Sequence, residues 1–248
     1  MNIENKTILI TGGATGIGFS IAKKLSGKGN QLILAGRRED KLKEAVAQLP
    51  GTSYVVADIT NEADVENLVK QVKSKFGGLD ILVNNAGVVT AYPLDSENGV
   101  YEKAKFEMDL NYLSVVRLTE KLLPFLKASK EAAIINIESI VSYLPATVIA
   151  TYSATKAALH SYSQALRLVL QRTHPHVKLF EVFPPFVDTD MTKDFTAEKL
   201  SPDEVAQDIF NALQKNEYAV RPGRTKEVYF SFLQAPEATL NQFNGVGA

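Results

Sequence analysis

Tyr152 and Lys156 stand four residues apart in TYSATKAALHSY, a stretch that reads as a helix, so both side chains leave the same side of it. Such a pair is either packing with a snorkelled amine or an acid beside the cation that tunes it. The pair alone leaves both readings open. Ser139 lies thirteen residues upstream, at the end of the apolar run AAIINIES. Asn111 falls in FEMDLNYLSVVRL, inside a long amphipathic pattern where a polar residue ordinarily faces solvent. A Y-x-x-x-K spacing is common by chance, and none of the four residues is informative singly.

A second group of residues suits a phosphate ligand. TILITGGATGIGFSIAKKL runs strand, glycine loop, helix, with Gly12, Gly16 and Gly18 spaced G-x-x-x-G-x-G and with Thr15 and Ile17 in the same loop. Glycines let backbone turn tightly and approach a pyrophosphate, whose charge is favoured at a helix amino terminus. An ordinary glycine-rich turn is the alternative. The next strand ends at Gly36, followed by Arg37 and Arg38, with no acidic residue at the point where NAD would need one. Two guanidiniums can grip the 2′-phosphate of NADP, so NADP(H) is favoured over NAD(H). A solvated charge run, shared with Glu39 and Asp40, is the alternative. Asp58, with Ile59 beside it, ends the third strand and offers a contact to adenine. In ILVNNAG, Asn85, Ala86 and Gly87 make little sense as core and more where backbone must pass close to a ligand.

The elements that must position these residues follow from hydrophobic pattern. Seven short runs (TILIT, QLILAG, SYVVAD, ILVNNAG, AAIINIES, KLFEVFPP and EYAVRP) are mostly apolar throughout, as strands buried on both faces of a parallel sheet are. Helical patterns lie near 16–28, 40–49, 62–76, 101–127, 152–173 and 202–215. Asp40 or Glu39, Asn61 and Ser201 are the candidate caps. The alternation predicts an α/β fold: a single-domain, doubly wound parallel sheet of about seven strands flanked by helices, spanning residues 1–248. NQFNGVGA, 241–248, reads as a loose tail. Of 248 residues, 45% are hydrophobic, and the net charge of −1 leaves no basic field for nucleic acid or an anionic membrane. There are no cysteines, so thiolate chemistry and disulfides are excluded. The histidines are His160, His174 and His176, with no carboxylate pattern of a metal site around them, and no metal is expected. No apolar run is long enough to span a bilayer, and the first strand begins too early for a leader, so a cytoplasmic protein is expected.

In this order the motifs TGGATGIG, NNAG, Asn111, Ser139 and YSATK resemble the short-chain dehydrogenase/reductases, a Rossmann-fold family, over nearly the whole chain. FPPFVDT and KAALHSYSQALR are most similar to its DltE-like oxidoreductase branch. The resemblance implies that Tyr152 is the general acid in carbonyl reduction and the base in alcohol oxidation. Lys156 then lowers the phenol pKa and bonds the nicotinamide ribose, Ser139 bonds the substrate oxygen, and Asn111 holds a water against Lys156. Pro185 stands where the family commonly has glycine, so carboxamide contacts are expected from Val187 and Thr189. Glu138 places an acid beside Ser139, and facing inward it would disfavour anionic substrates. The usual glycine-rich ending is missing, which leaves a homodimer or a homotetramer open.

Residues after strands four to six are expected to line the substrate pocket. They are Val89 and Tyr92, then Ile140, Tyr143 and Leu144, then Phe186, Met191 and Phe195. The set is apolar and aromatic and points to an uncharged ketone as small-molecule substrate. Residues 188–201 read as a lid. An epimerase with the same Y-x-x-x-K pair would need a longer chain. A silent NADP(H)-binding redox sensor would need only the binding half.

Overall fold

The computed structural model describes residues 1–95 and 99–246. Its strands are β1 (Thr7–Thr11), β2 (Gln31–Gly36), β3 (Thr52–Val56), β4 (Ile81–Asn84), β5 (Ala132–Ile137), β6 (Val177–Val182) and β7 (Ala219–Val220). They form one sheet in the order β3-β2-β1-β4-β5-β6-β7, and every pairing is parallel. The helices are α1 (Gly16–Leu25), α2 (Glu39–Ala47), α3 (Glu62–Phe76), α4 (Val100–Met108), α5 (Ser114–Ala128), α6 (Ala150–Thr173), α7 (Pro202–Lys215), α8 (Thr225–Gln234) and α9 (Pro236–Phe243). None of those described is long and apolar enough to cross a membrane.

The period-two geometry of strands explains why these runs are apolar throughout. In β1, Ile8 and Ile10 pack on one face with Ile21 and Leu25 of α1 and Ile209 of α7, while Leu9 packs on the other with Leu68 of α3 and Leu118 of α5. Every central strand repeats the alternation, as Leu32 and Ile33 or Ala133 and Ile134 show. Each fully buried aliphatic side chain contributes about 1.5–3 kcal/mol, so this double burial is what holds the sheet's carboxyl edge in place.

Local chemistry sets the helix starts. Asn61 caps α3 by accepting from the Asp64 N–H at 3.1 Å, and Ser201 and Glu204 form a capping box before Pro202. Glu39 and Asp40 are not caps: α2 begins at Glu39 itself, with both acids in its first turn. The helix expected over 16–28 stops at Leu25, because Gly27 and Gly29 turn left-handed. The single helix expected over 101–127 is divided by a π-helical turn at Asp109–Leu113.

At the carboxyl end the expectation fails. Residues 225–243 are two helices, and Asn244 is bonded to the Thr147 N–H and the Pro145 carbonyl. The stretch read as a loose tail is therefore packed through Asn244, while residues 247–248 of it lie outside those described. Pattern alone missed α8 and α9 because their apolar residues face a small satellite core and each other rather than the sheet.

Candidate active site

The order of strands reverses between β1 and β4, and loops that leave the sheet on opposite sides of such a break open a crevice there. A cleft of about 560 Å³ runs along this edge, within the range of small-molecule sites. Gly12 and Gly16 adopt φ of 62° and 56°, which only glycine takes without strain. Gly18 sits behind the loop, where a Cβ would fall 2.5 Å from Asn85 Nδ2 and closer still to the Gly12 carbonyl oxygen. Asn85 clamps the loop by donating from its amide to the carbonyls of Thr11 and Gly12 at 2.9 and 3.1 Å. The N–H groups of Asn85 and Ala86 both donate to Thr11 Oγ1. The second asparagine of the motif thus holds the glycine loop to β4, and Asn84 ties β4 to Asn136 of β5 at 2.8 Å. The result is a bare backbone cradle at the start of α1, which fits a pyrophosphate.

Thr15, Ile17, Ile59, Ala86 and Gly87 line the same cleft, as do Pro185, Val187 and Thr189. Arg37 and Arg38 line it too, but neither is free of partners. Arg37 Nη1 lies 3.7 Å from the Asp58 carboxylate, and Arg38 donates to Thr15 Oγ1 at 3.4 Å. Burial would raise the Asp58 carboxyl. Bonds from the Thr60 N–H and hydroxyl, with Arg37, outweigh it and hold the carboxyl below its ordinary range. The Val187 carbonyl is occupied by the hydroxyls of Thr189 and Thr192, so a ligand contact at Val187 must come through its N–H.

Ser139, Tyr152 and Lys156 line the cleft beyond β5. Ser139 leaves the strand as the cap of a short 3₁₀ turn, Ile140–Ser142, with its Oγ accepting from the Val141 N–H at 3.4 Å. Tyr152 lies in the first turn of α6, and Lys156 follows on the same face with Nζ 5.6 Å from the Tyr152 ring centroid. Lys156 also donates to the Ile137 carbonyl at 2.8 Å. The phenol is not lowered overall, as had been expected of its neighbour. Burial pushes it up to about 12, the Ser139 hydroxyl pulling it back and Glu107 pushing it further. Burial pushes the Lys156 ammonium down to about 8, opposed by the Glu138 carboxylate.

Asn111 does not reach the cleft. It is fully buried in the π-helical turn, where its amide accepts from the Val88 N–H and donates to the Val88 carbonyl, both at 2.9 Å, and donates to Thr155 Oγ1 at 3.1 Å. Asn111 lies one turn after the buried Glu107 and one turn before the buried Ser114 and Val115, so the inward stripe of the helix carries it through the π turn. It fixes the backbone after NNAG against α6.

The expected substrate set divides. Val89 and Met191 line the cleft. Phe186 and Phe195 lie ring against ring at 5.2 Å, and Phe195 packs near Tyr152 and Val89. Tyr92, Ile140 and Leu144 are buried and do not line the cleft, Ile140 lying in the same apolar cluster as Val89 and Phe195. The Tyr92 hydroxyl bonds Thr151, whose hydroxyl bonds the buried Glu107 carboxylate at 2.6 Å. Tyr143 is also turned aside, stacked on Phe183 at 4.5 Å with Arg221 Nε donating to its hydroxyl at 3.1 Å. Two residues that pattern reading missed, Val228 of α8 and Phe243 of α9, pack in the apolar cluster with Val89, Tyr152 and Phe195.

Glu138 lines the cleft at the end of β5, but its carboxylate is buried against His160. Its carboxylate lies 3.4 Å from His160 Nδ1, which is 2.6 Å from Glu181. Nothing in the linear order brings carboxylates to His160; the sheet and α6 do. These three could converge on a cation, but the 2.6 Å separation is that of a shared proton, with Arg167 3.7 Å from Glu181 as a further positive charge.

Residues 6–200 match the short chain dehydrogenase family. The uncharacterized oxidoreductase DltE of Bacillus subtilis is 34% identical over 234 residues, 91% of each chain. A short chain dehydrogenase from Burkholderia cenocepacia, solved in complex with NADP, superposes with a TM-score of 0.87 at 26% identity, covering 98% of this chain and 99% of that one. An alcohol dehydrogenase from the archaeon Thermococcus sibiricus, complexed with 5-hydroxy-NADP, gives 0.73 at 29% identity over 84% and 90%. With the ordered motifs gathered along one crevice of a seven-stranded parallel sheet, the chain belongs to the short-chain dehydrogenase family of oxidoreductases and is similar to its DltE-like members.

Proposed function

We propose that the protein is an NADP(H)-dependent oxidoreductase that interconverts an apolar or aromatic ketone and a secondary alcohol, with Tyr152 as the proton-transferring residue. The observation that carries this reading is the single cleft in which a glycine cradle, two arginines, Ser139, Tyr152 and Lys156 follow one another along the sheet edge. A nicotinamide cofactor bound there supplies or accepts the hydride. Gly12, Gly16 and the α1 amino terminus hold its pyrophosphate, Arg37 and Arg38 its 2′-phosphate, and Val187 and Thr189 its carboxamide.

The chain's own groups handle the proton. With the phenol pushed up to about 12, Tyr152 is neutral at pH 7 and holds the proton a reduced carbonyl oxygen needs. Ser139 donates to the same oxygen and limits the charge that develops on it. The Lys156 ammonium, 5.6 Å from the phenol ring, favours the phenolate once the proton has left. Val89, Phe195, Val228 and Phe243 exclude water from this end, which favours an uncharged substrate. Residues 188–201 close over it as a lid whose ends are tied together by the bridge between Val187 and Leu200. Exposed Tyr101, Phe106 and Leu113 near the π-helical turn, with Leu168 and Val169 on α6, suit a two-fold interface between copies, which light scattering would test.

Consumption of NADPH and NADH against a panel of aromatic, aliphatic and keto-ester carbonyls tests the reading. Turnover with NADPH is expected. Turnover with NADH alone would transfer the role to NAD(H), a second reading favoured by the Arg37–Asp58 pair, which diverts one guanidinium. Tight NADPH binding with no turnover of any carbonyl would favour the sensor.

A further inference from the structure

Glu138, His160 and Glu181 take no part in the chemistry above, yet they join the three elements that carry it. Glu138 directly follows β5 and precedes Ser139. His160 lies on α6 one turn beyond Lys156 and two beyond Tyr152. Glu181 lies on β6, three residues before the Pro184–Thr189 loop. His160 Nδ1 stands between the two carboxylates, at 2.6 Å from Glu181 Oε1 and 3.4 Å from Glu138 Oε2.

One ring nitrogen carries one proton, and the short distance gives it to Glu181. Glu138 is only 2% exposed, and neither of its carboxylate oxygens has a hydrogen-bond partner among the described residues. A buried carboxyl without hydrogen bonds either keeps its proton or needs a compensating positive charge, and burial pushes Glu138 up to about 7, so above that pH it needs the charge. A neutral imidazole would leave two buried acids facing each other. The other groups around the ring do not remove that need. Arg167 Nε on α6 is 3.7 Å from Glu181, on its far oxygen. Tyr143 meets the imidazole edge-on at 5.3 Å, and Arg221, beyond that ring, spends its Nε on the Tyr143 hydroxyl. Lys156 is attracted by the Glu138 carboxylate but makes its bond to the Ile137 carbonyl rather than to that acid.

We propose that His160 is an imidazolium and a positioning residue, whose single charge binds α6, with Tyr152 and Lys156, to the ends of β5 and β6, with Ser139 and the cofactor-side loop. The proposal rests on the catalytic reading above for the meaning of that alignment. Burial opposes the charge, and the nearby Glu138 carboxylate together with the short bond to Glu181 outweighs it, pushing His160 up to about 9. The folded His160 value lies above the ordinary 6.5, so its charge is lost as pH rises through about 9; burial also pushes the Glu138 carboxyl up to about 7, so the clamp loses that anion as pH falls through about 7 and is complete between about 7 and about 9.

Nitrogen-15 NMR of the whole chain tests the charge without any substrate. Both ring nitrogens of His160 are expected to be protonated at pH 7, and E181Q is expected to move the titration to lower pH. With a carbonyl that the enzyme reduces, H160N is expected to lower kcat about tenfold or more with cofactor affinity within about twofold. It should also speed amide hydrogen exchange through 150–160. Adding E138Q to H160N removes the uncompensated acid and should recover most of that kcat, which a merely packed histidine would not produce. A neutral ring at pH 7, unchanged kcat and exchange in H160N, or loss of the Nδ1 proton signal to added zinc (a metal site instead) would each overturn the clamp. If the enzyme reduces no carbonyl, the catalytic reading falls, while the NMR and exchange results still decide the charge and the clamp.

Discussion

On the β1–β4 side of the switch point the cleft is made of backbone, whereas beyond β5 it is made of side chains borrowed from distant elements. The first wall needs glycine at positive φ and asparagine amides pinning two loops together. The second gathers Val89, Ser139, Tyr152 and Met191 from four separate stretches, with Phe195, Val228 and Phe243 in the apolar cluster that includes Val89 and Tyr152. A backbone wall leaves little room for variation and reads directly as motif. A side-chain wall has no motif, since each apolar residue is equally at home in a core.

The sharpest way to break this contrast is at Tyr152. Tyr152→Phe keeps the ring in the apolar wall and removes only the proton donor, so kcat should fall by about 10²–10⁴ while NADPH affinity holds. Retained turnover in steady-state assays would remove Tyr152 from the acid role. On the backbone wall, Gly18→Ala forces a Cβ into the Gly12 carbonyl and Asn85, at a cost of about 1–3 kcal/mol and a loss of roughly 10- to 100-fold in cofactor affinity by titration. Unchanged affinity would mean that the loop is not a cradle.

Smaller effects sharpen the comparison. Replacing Arg37 and Arg38 with Ala should weaken NADPH by about tenfold or more and NADH little, since bonds to a charged group are worth about 1.5–3 kcal/mol. Equal losses would make the arginines a solvated run. Phe243→Ala should raise KM for an apolar ketone several-fold by opening the wall, whereas Tyr92→Phe should leave KM alone and cost about 1 kcal/mol in thermal unfolding, because its hydroxyl serves only Thr151. The reverse pattern would restore Tyr92 to the pocket and remove α9 from it.

The strands were legible because burial on both faces leaves seven apolar runs, and the caps at Asn61 and Ser201 because their side-chain chemistry is local. The glycine loop, Asn85, Ser139, Tyr152 and Lys156 were legible for a related reason: each sits at a strand end or helix start that its own neighbours define. Asn111 was found by its place in the motif order, but its bonds to Val88 and Thr155, which hold it away from the cleft, come from parts of the chain that its own helix does not define. Tyr92, Ile140, Tyr143 and Leu144 lie off the cleft, because apolar and aromatic types do not say which side of a loop they face. α8 and α9 were missed because what makes them stable is contact with a surface formed elsewhere in the chain.

By itself, then, the order of residues determined the sheet, the crevice and the groups able to bind a dinucleotide and move a proton, since these depend on period, turn chemistry and spacing within single elements. Only the tertiary structure decided the state of those groups: that burial raises Tyr152, and that Arg37 is shared with Asp58. It also decided that Glu138 meets His160 and Glu181 across three elements. Desolvation and charge pairing depend on what lies within a few ångströms, and in a doubly wound sheet those neighbours come from parts of the chain that no local pattern connects.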